Sequence, residues 1–301
     1  MMKEQLIFVN GQFVNKKEAV VSVYDHGFLY GDGVFEGIRV YDGNVFRLKD
    51  HVDRLYDSAK SIMLSIPYSK QDLSNHVVET LRKNYLHNAY IRVVVSRGVG
   101  NLGLDPSSCS RPQVIIIAEE LSLFPKELYE TGIEIVSVAT RRNRSDVLSP
   151  KVKSLNYLNN ILVRIEANLA GVSEALMLND QGYVAEGSDD NVFVVKNGEI
   201  LTPPGYVGAL EGITRNVIME IARKLGFSMR EQVFTRHDVY VADEVFLTGT
   251  AAEVIAVVKV DGRTIGEGKP GDYTNRLLEE FRKTVVEDGV KVYEQQNVQV
   301  G

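Results

Sequence analysis

Residues 34–48, VFEGIRVYDGNVFRL, set Asp42–Gly43 between two runs rich in β-branched and aromatic residues. Such a pair tolerates the backbone of a tight two-residue turn, so the stretch predicts a β-hairpin. The same device stands at Asn10–Gly11 inside IFVNGQFV (7–14), and at Asn197–Gly198 between NVFVV (191–195) and EIL (199–201). Further strands are predicted at AYIRVVVS (89–96), PQVIIIAE (112–119), IEIVSVAT (133–140), EALMLN (174–179), EVFLTG (244–249) and EVIAVVKV (253–260). Helical spacing appears from about Lys49, where Val52, Leu55, Ala59 and Ile62 recur every three or four residues. Ser69 and Asp72 form a capping pattern ahead of Leu73, Val77 and Leu81. Leu155 to Ala170 reads as a helix ended by Gly171, and GITRNVIMEIARKLG (212–226) as another, with Val217, Ile221 and Leu225 on one face. A last helix is predicted from Thr274 to Val286. Hairpins and helices interspersed in this way predict an α+β fold with antiparallel or mixed sheets.

Length and composition narrow the function. At 301 residues and 44% hydrophobic, the chain can bury a substantial core, and length favours two domains. Residues 120–132, ELSLFPKELYETG, lack a period of their own and are the candidate linker between residues 1–119 and 133–301. Net charge is −6, and the densest basic cluster is Arg141, Arg142 and Arg144, so nucleic-acid binding is not indicated. One cysteine, Cys109, cannot form an internal disulfide, which fits a reducing compartment. The N-terminus lacks the apolar run of a signal peptide, and the longest apolar runs are strand-sized. The expectation is a soluble cytoplasmic protein that does not enter membranes.

Several familiar motifs lead nowhere. GVGNLG (98–103) follows a strand and matches a dinucleotide fingerprint, but Asp105–Pro106 follow where a helix is required. No P-loop and no G-x-S-x-G elbow is present. His26, His51, His76, His87 and His237 are scattered without metal-ligand spacing, so no metal is expected.

Other stretches carry more. SPKVKSLNYLNN (149–160) holds Lys151 and Lys153, either solvated or, for one of them, bonded to a carbonyl cofactor. Extended-chain parity does not choose between them, because both side chains would point the same way. LEGITRN (210–216) places Gly212, Ile213 and Thr214 at a helix start, where unpaired N–H groups favour an anion or simply accept a cap. LTGTAAE (247–253) is a turn of small residues with the hydroxyls of Thr248 and Thr250, suited to close approach of a ligand or to compactness. Arg54 lies beside the apolar face of its helix, and Glu186 stands where a strand yields to a glycine turn.

Taken together, YGDGVFEGIRVYDG (30–43), HVDRLYDSAK (51–60), AYIRVVVSRG (89–98), VKSLNYLNNILVRIEA (152–167), GYVAEGSDDNVFVVKNG (182–198), LTPP (201–204), LEGITRN and ADEVFLTGTAAEV (242–254) resemble the branched-chain amino acid aminotransferases, in the same order along the chain. These are fold-type IV enzymes, of the D-amino-acid aminotransferase-like fold, that use pyridoxal 5′-phosphate. The resemblance runs from about residue 6 to beyond residue 290. It implies a smaller N-terminal α/β domain, a larger C-terminal domain and an active site between them. It also implies at least a homodimer, with a hexamer as the larger assembly, in which the neighbouring subunit completes each site.

The resemblance assigns roles. Lysine before Ser-Leu-Asn matches the covalent position, so Lys153 carries the cofactor. Glu186 is expected on the pyridine nitrogen, Tyr157 on the phenolic oxygen and Leu210 against the ring. Arg54, the amides of Ile213 and Thr214, and Thr250 are expected on the phosphate. The amides of Ala251 and Ala252, with Tyr90, would hold the substrate α-carboxylate. Tyr30, Phe35 and Tyr157 would line an apolar pocket, Arg39 would support it, and Tyr30 with Arg92 would receive the distal carboxylate of 2-oxoglutarate. The implied reaction transfers the amino group of L-leucine, L-isoleucine or L-valine to 2-oxoglutarate, giving the 2-oxo acids and L-glutamate. Its proton steps require an uncharged Lys153 amine, and so a lowered pKa. Two rivals share the fold: D-amino-acid aminotransferases, in which Arg97 would match a carboxylate-binding arginine, and aminodeoxychorismate lyases.

Overall fold

The computed structural model describes residues 4–120 and 125–293. The chain divides into two compact units, Met1–Leu121 with Thr284–Gly301, and Ser122–Lys283.

In the first unit, seven strands among the described residues form one antiparallel sheet. Their order is Gly289–Lys291, Asn44–Phe46, Gly33–Tyr41, Ala89–Ser96, Gln113–Glu119, Leu6–Val9 and Gln12–Asn15. Both expected hairpins form here. Asn10 and Gly11 take φ of 52° and 93°, and Asp42 and Gly43 take 47° and 73°, the mirror-image turn geometry whose twist matches that of the strands. Helices Leu48–Ser61 and Lys70–Asn84 cover one face, packing Val52, Leu55, Leu73, Val77 and Leu81 onto Val34, Ile38, Val40, Ile91, Val93 and Val95. Ser69 caps the second helix, its hydroxyl accepting from the Asp72 N–H at 3.1 Å. GVGNLG runs into a 3-10 turn at Pro106–Ser108 rather than a helix. Its Gly98, at φ 95°, brings its backbone so close to the Arg111 carbonyl that a Cβ would lie 2.0 Å from that oxygen.

In the second unit, nine strands among the described residues form a mixed sheet. Along it run Ser228–Glu231, Glu199–Thr202, Asn191–Lys196, Glu244–Gly249, Glu253–Val260, Ile133–Ser137, Glu174–Leu178 and Val184–Glu186, with Arg263–Thr264 added beside Glu253–Val260. Three neighbouring pairs are parallel, and the rest are antiparallel. One face buries Val192, Val194, Val245, Leu247, Ile255 and Val257. On the other, Phe193 and Phe246 stack at 4.9 Å between centroids, both fully buried. They sit opposite one another in register, and helix Ile213–Lys224 packs against the Glu244–Gly249 strand. Removing either ring leaves a cavity that neighbours fill only in part. Phe193→Ala should therefore cost about 3–5 kcal/mol, read as a lowered urea midpoint at unchanged slope. A loss under about 1 kcal/mol would contradict this packing.

Three expectations need correction. Within the expected linker 120–132, Lys126–Thr131 is a helix, while residues 121–124 lie outside the described residues. Residues from Thr284 onward belong to the first unit rather than to 133–301, because Gly289–Lys291 hydrogen-bonds to Asn44–Phe46. The helix expected from Leu155 begins at Leu158, since the Ser154 and Tyr157 N–H groups close short turns on the Val152 and Leu155 carbonyls. Among the described residues, no helix is long and apolar enough to cross a membrane.

Candidate active site

The turns at 149–157 separate the two lysines. Lys151 is half-exposed and pairs with Glu211 at 2.6 Å. Lys153 is buried, 8% exposed, and its Nζ donates to Tyr157 Oη at 2.9 Å. Extended geometry would have aimed both the same way; the turns closed by the Val152 N–H on the Ser149 carbonyl and by the Ser154 N–H on the Val152 carbonyl break that geometry.

Glu186 ends its strand fully inside the second unit. Arg142 Nε approaches Oε1 at 2.8 Å, and the Leu210 N–H donates to Oε2 at 2.7 Å. Arg142 is itself held by the Gly208 carbonyl at 3.1 Å and by the side-chain oxygens of Asn159 and Asn160, both at 3.0 Å. Burial pushes the Glu186 carboxyl up; the Arg142 charge, the Leu210 N–H and the Lys153 charge offset this only in part. Arg142 ties Glu186 to Asn159 and Asn160 in the first turn of the Leu158–Leu169 helix, whose N-cap Tyr157 bonds Lys153, so the amine and the carboxylate lie in one region of the unit.

Two turns converge beside them. Asn191 and Thr248 are paired across adjacent strands and so share a face of the sheet. Asn191 Nδ2 donates to the Leu210 carbonyl at 2.7 Å, and a Cβ on Gly212 would lie 2.1 Å from Asn191 Oδ1. The helix start at Gly212–Ile213–Thr214 therefore adjoins the end of the Glu244–Gly249 strand, from which Thr250, Ala251 and Ala252 follow. Gly212 is the N-cap and supplies no side chain, leaving the first N–H groups to another acceptor. Thr248 Oγ1 is buried without a hydrogen-bond partner. A buried hydroxyl lacking a partner, next to a helix N-terminus that no side chain caps, fits an oxygen-rich anion such as a phosphate monoester.

In the first unit, Phe35, Gly37 and Arg39 pair with Val94, Arg92 and Tyr90, so Phe35, Arg39, Tyr90 and Arg92 share one face of the sheet. The Arg92 guanidinium lies 4.5 Å from the centre of the Phe35 ring and donates to Tyr90 Oη at 3.1 Å. Arg39 lies 4.5 Å over the Tyr41 ring. Gly37 gives the Tyr90 hydroxyl its room: a Cβ there would lie 2.0 Å from it. Tyr30 ends the short helix His26–Tyr30, and its hydroxyl donates to the Leu102 carbonyl. Arg54 projects from helix Leu48–Ser61 and grips Glu36, which lies on the opposite, core-facing side of the sheet. Arg97 is fully engaged, with two bonds to Asp32 at 2.8 and 3.0 Å and one each to the Met63 and Ile62 carbonyls at 2.7 Å.

Arg142, Asn160, Asn191, Glu36 and His51 were not singled out from the sequence. The cluster of arginines at 141–144 was visible, but nothing in its spacing points to Glu186, 44 positions after Arg142.

The amino-transferase class IV family model matches residues 33–260, and the chain belongs to that family, whose members depend on pyridoxal phosphate. A Methanocaldococcus jannaschii protein assigned as a branched-chain-amino-acid aminotransferase is 53% identical over 96% of this chain and 99% of its own. The Pseudomonas aeruginosa branched-chain-amino-acid aminotransferase is 39% identical over 93% of this chain and 92% of its own. Among solved structures, the T.th. branched-chain amino acid aminotransferase with pyridoxamine 5′-phosphate superposes with a TM-score of 0.90 at 39% identity, covering 95% of both chains. The Escherichia coli branched-chain amino acid aminotransferase gives 0.91 at 37% identity, covering 98% of both.

The Glu186 environment makes one prediction for the cofactor-free protein. Its folded carboxyl holds a proton to higher pH than the unfolded chain does. The stability it lends is thus complete at acid pH and lost as pH rises from about 4, the ordinary carboxylate range, through the folded value. Glu36 contributes with the opposite sign, since its carboxyl is held well below the usual range. Glu186→Gln should flatten the decline in unfolding free energy on the alkaline side, measured by urea titration at stepped pH. Parallel curves for the two proteins would contradict the assignment.

Proposed function

We propose that this protein is a pyridoxal-phosphate-dependent transaminase that moves the amino group of branched-chain L-amino acids (leucine, isoleucine and valine) to 2-oxoglutarate, yielding the 2-oxo acids and L-glutamate. One observation carries the proposal: the buried Glu186 is tied through Arg142 to the start of the helix at which Tyr157 holds the buried Lys153, beside two turns that fit a phosphate. When bound, pyridoxal phosphate supplies an aldehyde that takes the amino group and a ring that accepts electrons from the substrate α-carbon.

The chain's own residues do the rest. Lys153 Nζ would hold the cofactor aldehyde through a covalent bond. The same Nζ, as a neutral amine, would carry the substrate α-proton. Tyr157 Oη, already a partner of that amine, restrains it and serves the phenolic oxygen. Glu186, as carboxylate, holds a proton on the ring nitrogen, and Leu210 supports the ring. Arg54, the N–H groups of Ile213 and Thr214, and the Thr250 hydroxyl bind the phosphate. The Ala251 and Ala252 amides with Tyr90 bind the α-carboxylate. Tyr30, Phe35 and Tyr157 receive the apolar chain, with Arg39 supporting the pocket. Arg92 and Tyr30 take the distal carboxylate of glutamate, in the site of a partner subunit. The Arg92–Phe35 stack supports this dual use: an aromatic face suits an aliphatic chain, and a guanidinium suits a carboxylate.

We further infer a cytoplasmic homodimer. Leu158, Ile161, Leu162, Ile165 and Leu169 form an exposed apolar stripe along the helix that follows Lys153, a face suited to a second copy. Purified protein should be yellow and should turn over L-leucine with 2-oxoglutarate faster than D-alanine. Faster use of the D-substrate would sink the substrate assignment. The engagement of Arg97 with Asp32 weighs against that alternative.

A further inference from the structure

Glu36 is the least expected residue of the first unit. It projects from the sheet face that carries Val34, Ile38 and Val40, among the core side chains, and it is fully buried. A lone carboxylate there would be expensive. Two residues of helix Leu48–Ser61, three positions apart, compensate it. His51 Nδ1 lies 2.7 Å from Oε2, and the Arg54 guanidinium meets both oxygens edge-on, Nε to Oε1 at 2.7 Å and Nη2 to Oε2 at 2.9 Å. His51 is as buried as its partner, while Arg54 is 14% exposed on its side chain.

We propose that Glu36 and His51 are positioning residues for a phosphate monoester, fixing the plane and direction of the Arg54 guanidinium before the ligand arrives. The inference rests on the functional reading above, which gives Arg54 its phosphate. Two considerations favour orientation over simple charge balance. A carboxylate in direct contact with Arg54 weakens its net pull on an anion, so Glu36 does not serve affinity through charge. What a side-on fork supplies is geometry: with Nε and Nη2 turned to Glu36, the direction of the remaining Nη1 edge is set. Arginine is long and flexible, and ordering it in advance removes that cost from the binding step. His51, by donating to Oε2, fixes the carboxylate that fixes the arginine, as outer partners orient ligands in other sites.

The test compares two probes on cofactor-free protein: pyridoxal phosphate and pyridoxal, which lacks the phosphate, each titrated by absorbance. Wild-type protein should favour pyridoxal phosphate strongly. Glu36→Gln should weaken pyridoxal phosphate about 10–100-fold while leaving pyridoxal within about twofold. His51→Leu should shift the same ratio in the same direction, and His51→Asn, which keeps a donor near the Nδ1 position, should restore much of it. These two variants decide the matter should Glu36→Gln fail to fold. An unchanged ratio in folded variants, or equal losses for both probes, would overturn the inference and leave the pair a core ion pair only. Wild-type protein that binds the two probes equally would overturn the functional reading itself, and the inference with it.

Discussion

Lys153→Ala protein should lose transamination by about 10⁴-fold, the upper end of what a positioned acid–base group supplies, because the proposed role also gives this amine the covalent link. The substitution removes a hydrogen bond to Tyr157 and a buried amine, not a packing element, so the fold should survive. Borohydride treatment of wild-type protein should fix the cofactor to the peptide holding Lys153, and the variant should show no such adduct. Lys151→Ala is the control. Its amine pairs with Glu211 at the surface, where an ion pair contributes little, and turnover should stay within about threefold of wild type. An adduct on Lys151, or full turnover in the Lys153 variant, would refute the assignment.

The second large effect is expected at Glu186. Alanine there strands the Arg142 guanidinium, which is 7% exposed and bound to groups that carry no countercharge. Leaving one member of a buried pair uncompensated costs about 3–5 kcal/mol, so the melting temperature should fall by several degrees. Catalysis should suffer independently. In the proposed role, loss of the charge that would keep the ring nitrogen protonated should lower kcat by about 10²–10³-fold. Glu186→Gln separates the two effects. It keeps an acceptor but not a countercharge for Arg142, so it should regain part of the stability and little of the rate. Recovery of both together would mean that Glu186 acts only in folding.

The hairpins are legible in the sequence because their turns make a steric demand. Asp42–Gly43 and Asn197–Gly198 announce hairpins because their turn needs positive φ at both positions, a demand that few residue pairs meet. Asp261–Gly262 makes the same turn at φ of 49° and 77°, yet between strands of unequal length it was not recognised. Short elements such as His26–Tyr30 and Arg236–Tyr240 span too few residues to show a period. The candidate site divides in the same way. Lys153 and Glu186 were proposed through a resemblance, not through spacing. Arg142 and Glu36 escaped because a buried ion pair joins positions related only by the fold. Whether a carboxylate within FEGIR is exposed or sunk in a core depends on which face of the strand turns inward.

The return of the chain's end to the first unit has a practical side. Gly289–Lys291 occupies the flank of Asn44–Phe46, and the Asn44 amide reaches the Val285 carbonyl at 2.7 Å. Truncation before residue 289 would bare a row of unsatisfied peptide groups on a strand whose three side chains are all buried. Such a margin invites pairing with another molecule, so shortened versions of this protein should come out of expression as insoluble material even where their catalytic residues are all present.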